Sequence, residues 1–264
     1  NSDGTCTANI TNRSNRNLVI NGAMQVAQRA TSASNSGYGS VDRMNIIFSG
    51  TNQNPTHEQA DVASGTTPYT LGFRKCLKVT NGDQVSGAGA SDFINIQTKL
   101  EAQDIANSGW NYTSASSYIT LSFWIKSSVA QTFKGYLRAL DGTAQRYTFE
   151  TGSLSADTWT KITKTIPGHA NLQFDNNGEQ GLQINISPFW GTTYTDNTTE
   201  NAWATYASGS RTKDNTSTWY TTNDATLEIT GLQLEVGSVA TDFEHRSIGQ
   251  ELALCHRYFY KWVS

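Results

Sequence analysis

The clearest signal along the chain is alternation. Between residues 118 and 126, Ile119, Leu121, Phe123 and Ile125 take every second position, and Tyr118, Thr120, Ser122, Trp124 and Lys126 take the others. A period of two puts the first set on one side of a pleated strand, against a core, and the second set on the other side. Leu182, Ile184 and Ile186 alternate in the same way with Gln183, Asn185 and Ser187. Further runs at 73–80, 93–100 and 159–166 continue the pattern, and the runs 133–140 and 143–151 flank Asp141-Gly142, a strong hairpin signal. Leu18–Ile20, the Asn21-Gly22 turn, Ala23–Gln28 and Met44–Phe48 read as earlier strands and their connection, and Asn81-Gly82 reads as a turn between 73–80 and 93–100.

In Thr226–Val236 the parity shifts. Leu227 and Ile229 share one side, Leu232, Leu234 and Val236 the other, and Gly231 lies between them. A β-bulge, one extra residue in a strand, produces this shift, and two strands meeting at a bend are the alternative. A short helix is expected at 101–107, stopped by Gly109. Ser247 followed three residues later by Gln250 is a capping box, and Ile248, Leu252, Cys255 and Phe259 then recur on one helical face, so a helix is expected over 248–260. The whole pattern reads as an all-β chain: a jelly-roll β-sandwich over 18–246, a polar linker over 1–17 and a C-terminal helical segment over 247–264 packed on the sandwich.

Composition supports this reading. Only 36% of residues are hydrophobic and 16% charged, while Thr (35), Ser (26) and Asn (22) supply nearly a third of the chain. Thr and the aromatic residues suit half-buried strands, and Asn, Ser and Gly suit turns. A net charge of −3 argues against a nucleic-acid partner, and the chain contains no apolar run near the ~20 residues that membrane insertion by a helix requires. Cys6, Cys76 and Cys255 are widely separated and read as small core residues rather than as a disulfide framework. His57, His169, His245 and His256 are scattered, and the chain has no HExxH, CxxC, G-x-S-x-G or phosphate-binding loop. No catalytic residue, metal site or cofactor is therefore expected, and the chain reads as a non-enzyme.

The aperiodic stretch 188–222 carries the candidate site. It holds Trp190, Tyr194, Trp203, Tyr206, Trp219 and Tyr220, interleaved with Asp196, Asn197, Asn201, Arg211, Asp214 and Asn215. Flat aromatic rings pack on the apolar faces of sugars, and amides and hydroxyls pair with sugar hydroxyls, so aromatic residues concentrated in a loop mark a candidate glycan surface. The alternative is that the same rings fill a small core beneath the loop. Trp124 falls on the outer face of its strand and would meet a second layer or a neighbouring chain; Trp110 and Tyr112 read as core or interface residues rather than ligand contacts.

Residues 17–29 (NLVINGAMQVAQR), 234–260 (LEVGSVATDFEHRSIGQELALCHRYFY), 101–128 and 153–168 together resemble the terminal domains of tail-fibre-like structural proteins of marine cyanobacterial phages. The resemblance implies a non-catalytic virion protein with a jelly roll similar to carbohydrate-binding modules. It further implies a distal fibre or appendage domain, assembly as a homotrimer, attachment to other virion proteins through an upstream region, and recognition of a host-surface glycan. A carbohydrate-binding module of a secreted polysaccharide-active enzyme is the alternative.

Overall fold

The computed structural model describes residues 15–196 and 198–262. Its strands are β1 (Ser32–Ala33), β2 (Asn45–Ser49), β3 (Thr56–Asp61), β4 (Lys75–Thr80), β5 (Phe93–Glu101), β6 (Tyr118–Ser127), β7 (Thr132–Ala139), β8 (Gln145–Ser153), β9 (Thr160–Pro167), β10 (Gln180–Trp190), β11 (Trp203–Thr205) and β12 (Thr226–Val236). Four helices accompany them: α1 (Thr67–Thr70), α2 (Ala102–Ala106), α3 (Thr218–Thr221) and α4 (Ile248–His256). The strands form two six-stranded sheets, ordered β1-β3-β4-β12-β6-β9 and β11-β8-β7-β10-β5-β2. Every named pairing is antiparallel. This is the β-sandwich that the alternation implies, with the two-sheet jelly-roll architecture expected for a chain of this length.

The core lies between the sheets. Leu77, Val79, Ile119, Leu121, Phe123, Ile125, Leu227 and Ile229 from the first sheet meet Ile94, Ile96, Leu137, Phe149, Leu182, Ile184 and Ile186 from the second. The parity shift in β12 is a bulge: Thr230 pairs with Trp124 and Gln233 with Ser122, so three steps on β12 oppose two on β6. Gly231 sits there at φ +63°, and a Cβ on it would lie 2.7 Å from the Phe73 ring. The ring occupies the space that an L side chain would need.

Some expectations fail for local reasons. Asn81-Gly82 is not a hairpin, because β4 and β5 belong to different sheets. Asn81 is instead a buried bracket whose Nδ2 donates to the carbonyls of Tyr220 at 2.6 Å and Thr222 at 3.1 Å. Leu18–Ile20 and Ala23–Gln28 are not strands; Asn21 and Met24 take left-handed backbone angles, φ 60° and 58°. This segment wraps the β12 bulge, with Leu18 N–H bonded to Leu234 O at 2.9 Å and Leu232 N–H to Gly22 O at 2.9 Å. The strands β1, β3 and β11 carry no clean alternation and were not expected. Trp110 is buried in the core, and Trp124 packs in a satellite cluster with Phe73, Cys76 and Phe243 outside the first sheet. Trp110 thus meets the core reading and Trp124, still partly exposed, the second-layer reading.

The helix α4 has the expected capping box, with Ser247 and Gln250 exchanging side-chain and backbone bonds. It stops at His256, and its docking strip differs from the expected one. Ile248 is 56% exposed, and the buried members are Glu251 and Cys255. The carboxylate of Glu251 accepts from the Asn21 backbone N–H and from Arg246 Nη1. The helix thus docks on a polar anchor. Residues 1–14 of the expected linker, Cys6 among them, lie outside the described residues. Asn17 is built into the domain: its Oδ1 accepts from Val19 N at 3.0 Å and Leu234 N at 3.1 Å.

The chain after α4 is tied to the second sheet through Glu101. Its carboxylate accepts from Arg257 Nε at 2.6 Å and Nη2 at 2.8 Å. These bonds outweigh partial burial and hold the carboxyl down at about 2. The unfolded chain protonates this group at about 4.3. The stabilisation it contributes is therefore complete above that value and is lost as the pH falls toward 2. Melting temperature followed from pH 6 to pH 2 is expected to fall less steeply in Glu101→Gln than in the parent; parallel curves would refute this.

Candidate functional site

A second bulge builds the site. In β10, Ile186 pairs with Ile96 and Phe189 with Ile94, so one extra residue is accommodated between Ser187 and Phe189. Pro188 lies in this gap, and proline in a strand is tolerated at such a bulge because it has no N–H to leave unpaired. The shift reverses the parity beyond it. Phe189 turns into the core and stacks on Tyr220 at 4.4 Å, while Trp190 turns onto the outer face of the second sheet.

That outer face is polar. The register lines up Thr148, Tyr136, Asn185, Gln97 and Asn45 across five strands. Their amides form a ladder. Asn185 Oδ1 accepts from Asn95 Nδ2 at 2.9 Å and Gln97 Nε2 at 3.0 Å, and Asn45 Nδ2 donates to Gln97 Oε1 at 3.3 Å. Asn95 Oδ1 accepts from Ser187 Oγ at 2.7 Å, which in turn accepts from Trp190 Nε1 at 2.7 Å. These shared bonds fix the orientations of planar amides along the face.

Residues 191–196 and 198–217 cover one side of this face, and Asn197 of the candidate surface lies outside the described residues. The segment returns through β11, which pairs with β8, and Arg211 N–H then bonds to Tyr194 O at 2.9 Å. Trp190, Tyr194 and Tyr206 converge on Arg211. Its guanidinium carbon lies 4.3 Å from the Trp190 ring centre and 4.6 Å from that of Tyr194, and its Nε donates to Tyr206 Oη at 3.1 Å. Arg138 covers the Tyr206 ring at 3.8 Å. Phe93 stacks on Trp190 at 4.6 Å, so the tryptophan has no free face and is only 1% exposed.

The six aromatic candidates therefore divide. Tyr194 and Tyr206 are half-buried on the outer face, beside the buried Trp190. Trp203 lies at the sheet edge against Tyr147, and its Nε1 donates to Pro167 O at 2.7 Å. Trp219 and Tyr220 belong to the core, contrary to the surface reading. Trp219 Nε1 donates to Thr226 O at 3.0 Å and Tyr220 Oη to Asp92 at 3.1 Å, and both rings are 0% exposed. For these two the small-core alternative holds, because the four-residue helix α3 dips inward. Sequence reasoning missed Arg138, Arg146, Tyr136 and the amide ladder. Their signal lies in the polar half of the alternation, where Gln183, Asn185 and Ser187 mark the second face of the strand and turn out to be buried.

Ser40 Oγ and His57 Nδ1 lie 2.7 Å apart, but both residues are sealed and His57 Nε2 faces the Asn35 carbonyl. Burial depresses the His57 pKa, and the pair joins β3 to the loop before β2. Among the described residues, no group of three or more His, Cys, Asp or Glu is placed to hold a metal ion, and no helix is long and apolar enough to cross a membrane.

No protein-family model matches the sequence, and no curated protein matches it. Among solved structures, the chain is similar to the enzymatically active domain of tailspike protein 4 of bacteriophage CBA120, with TM-score 0.43 and 12% identity, over 84% of this chain and 22% of that one. It is similar to the tandem CBM22 domain of Paenibacillus barcinonensis Xyn10C, with TM-score 0.40 and 13% identity, over 89% of this chain and 53% of that one. It is also similar to the N-terminal cellulose-binding domain of Cellulomonas fimi β-1,4-glucanase C, with TM-score 0.37 and 10% identity, over 82% of this chain and 99% of that one. The likeness is one of fold. The chain spans about a fifth of the tailspike structure's length.

Proposed function

We propose that this chain is a non-catalytic, glycan-binding terminal domain of a virion appendage, and that it binds on the outer face of the second sheet. The observation that supports the binding role is the convergence of Tyr194, Tyr206, Arg138 and Arg211 beside a ladder of oriented amides. Sugar hydroxyls pair with the guanidinium and phenol groups at the rim, and a partly exposed tyrosine supplies an apolar face next to them; the amide ladder itself is buried and holds these groups from beneath. The virion role is supported by the resemblance of residues 17–29 and 234–260 to phage fibre termini. Assembly of three copies about one axis is part of the same reading and rests on that resemblance.

The test uses purified chain and immobilised host polysaccharide. Tyr206→Ala is expected to weaken retention about tenfold, the scale of a buried aromatic contact in an interface, with little change in melting temperature. Equal retention of parent and variant would remove Tyr206 from the site. Mass spectrometry of intact particles checks the location, because a virion protein is present in stoichiometric amount, whereas a module of a secreted enzyme is absent from particles.

A further inference from the structure

The outer face of the second sheet carries more positive charge than the protein neutralises. Across β8, β7, β10 and β5 the register places Arg146, Arg138, Gln183 and Lys99 in one row. At about 4.8 Å per strand, the row spans about 14 Å. Arg138 and Arg146 are directly opposed, and like charges in that position repel. Arg211 joins them, because its Nε donates to the Oη of Tyr206, whose ring Arg138 covers. Among the described residues, none of Arg138, Arg146, Arg211 and Lys99 forms a salt bridge with a carboxylate. Glu200, on the covering segment, is already shared by Lys134 and Lys213.

Arg146 is the most telling member. It is 5% exposed, and its Nη2 donates to Ser210 Oγ at 3.2 Å, while Nε and Nη1 have no partner. Arg138 Nε is unpartnered as well. Buried guanidinium donors without acceptors are costly, and although Arg43 and Arg246 each leave one such donor elsewhere, Arg146 leaves two, next to the one on Arg138, in a form that an anion matches. Burial weakens the proton affinity of Arg146, which Asp196 partly offsets. Lys99 is depressed by burial and by Arg43. A bound anion would relieve each of these.

We infer that the face selects an acidic glycan, whose carboxylate or sulfate ester groups lie along the Arg146–Arg138–Lys99 row with Arg211 closing over them. The planar fork of arginine matches both anions with paired hydrogen bonds. The net charge of the chain is −3, so general attraction to polyanions does not supply this preference. This inference rests on the glycan-binding reading and narrows it to a substrate class.

Affinity electrophoresis in gels containing polygalacturonate, dextran sulfate or neutral dextran tests it. The parent is expected to be retarded by at least one of the two polyanions and not by dextran, with retardation falling as salt rises. The arm that retards it identifies carboxylate or sulfate as the group recognised. Arg211→Gln and Arg138→Gln are expected to lower affinity at least tenfold, and Lys161→Gln, on the opposite sheet, to leave it unchanged. Arg146→Met is expected to lose retardation while melting at or above the parent's temperature, since it removes a buried, half-satisfied charge. Parent mobility that is equal in all three gels, or retardation that survives in both Arg211→Gln and Arg146→Met, overturns the inference. Should the parent still adsorb to host polysaccharide through Tyr206, the glycan reading stands and only the acidic class fails; loss of adsorption as well removes both.

Discussion

Arg246→Ala is expected to destabilise the protein by about 3–5 kcal/mol, the scale for removing one partner from a buried charge network. Its guanidinium joins residues 17–19 to residues 244–251. Nη1 donates to Val19 O at 3.3 Å and to Glu251 Oε1 at 3.0 Å, and Nη2 donates to the Asn17 carbonyl and to Glu244 Oε2 at 3.3 Å. Glu244 in turn accepts from Asn17 N at 2.8 Å. The Glu251 and Glu244 side chains are 7% and 12% exposed, so truncation strands two carboxylates with little water to receive them. Further along, Arg29 covers the Phe259 ring at 3.6 Å, and Gln28 Nε2 donates to Phe259 O at 3.0 Å. Thermal unfolding is the measurement, with a drop on the order of 10 °C for a domain of this size. Arg246→Met combined with Glu251→Gln should recover part of the loss, because it removes a charge from each side. A single alanine variant that melts with the parent would show that these segments are held by packing alone.

This network links segments that the sequence separates by more than 200 residues. Residues 17–29 and 244–259 are far apart in the chain and adjacent in space, and each supplies the other's hydrogen-bond partners. Nothing in hydrophobic periodicity reports such a contact. Periodicity did find the long strands β5 to β10 and β12, where apolar and polar residues alternate over most of the length even though both faces of β10 and β12 are buried. It misread Leu18–Ile20, whose apolar residues follow a turn rather than a pleat, and it missed β1, β3 and β11, which lie at or near sheet edges and need little burial. The bulge at Gly231 was legible because apolar residues continue on both sides of it. The bulge at Pro188 was not, because its far side is only Phe189 and Trp190, too short a run to reveal a parity.

The parity reversal at Pro188 determines which rings belong to the site. By simple alternation from Ile186, Trp190 faces the core and Phe189 faces outward. The opposite arrangement is observed, and the candidate surface depends on it. The cationic row was hidden for a different reason: Arg138, Arg146 and Lys99 come from three strands spread over 48 residues, and only the register brings them together. Their spacing in the sequence resembles an ordinary solvated face.

Trp190→Ala is therefore expected to act on stability and on the site together. Truncating a buried tryptophan costs about 3–5 kcal/mol. Here the loss includes the stack on Phe93 at 4.6 Å, the edge contact with Tyr194 at 5.1 Å and the bond to Ser187 Oγ. Arg211 also loses the ring that holds it at 4.3 Å, and the amide ladder loses the donor at its end. Trp190→Phe keeps a ring but deletes the N–H, and is expected to cost about 1–2 kcal/mol, the scale of one buried hydrogen bond left unmade. Melting curves and retention on host polysaccharide, measured on the same samples, distinguish the two roles. A ring that contacts the glycan directly would lose retention in Trp190→Ala at an unchanged melting temperature. A ring that positions Arg211 and Tyr194 from beneath loses both in the alanine variant and keeps most of the retention in the phenylalanine variant. The second outcome is the expected one, because Phe93, Tyr194 and Arg211 already occupy the surface of Trp190 that a sugar would need.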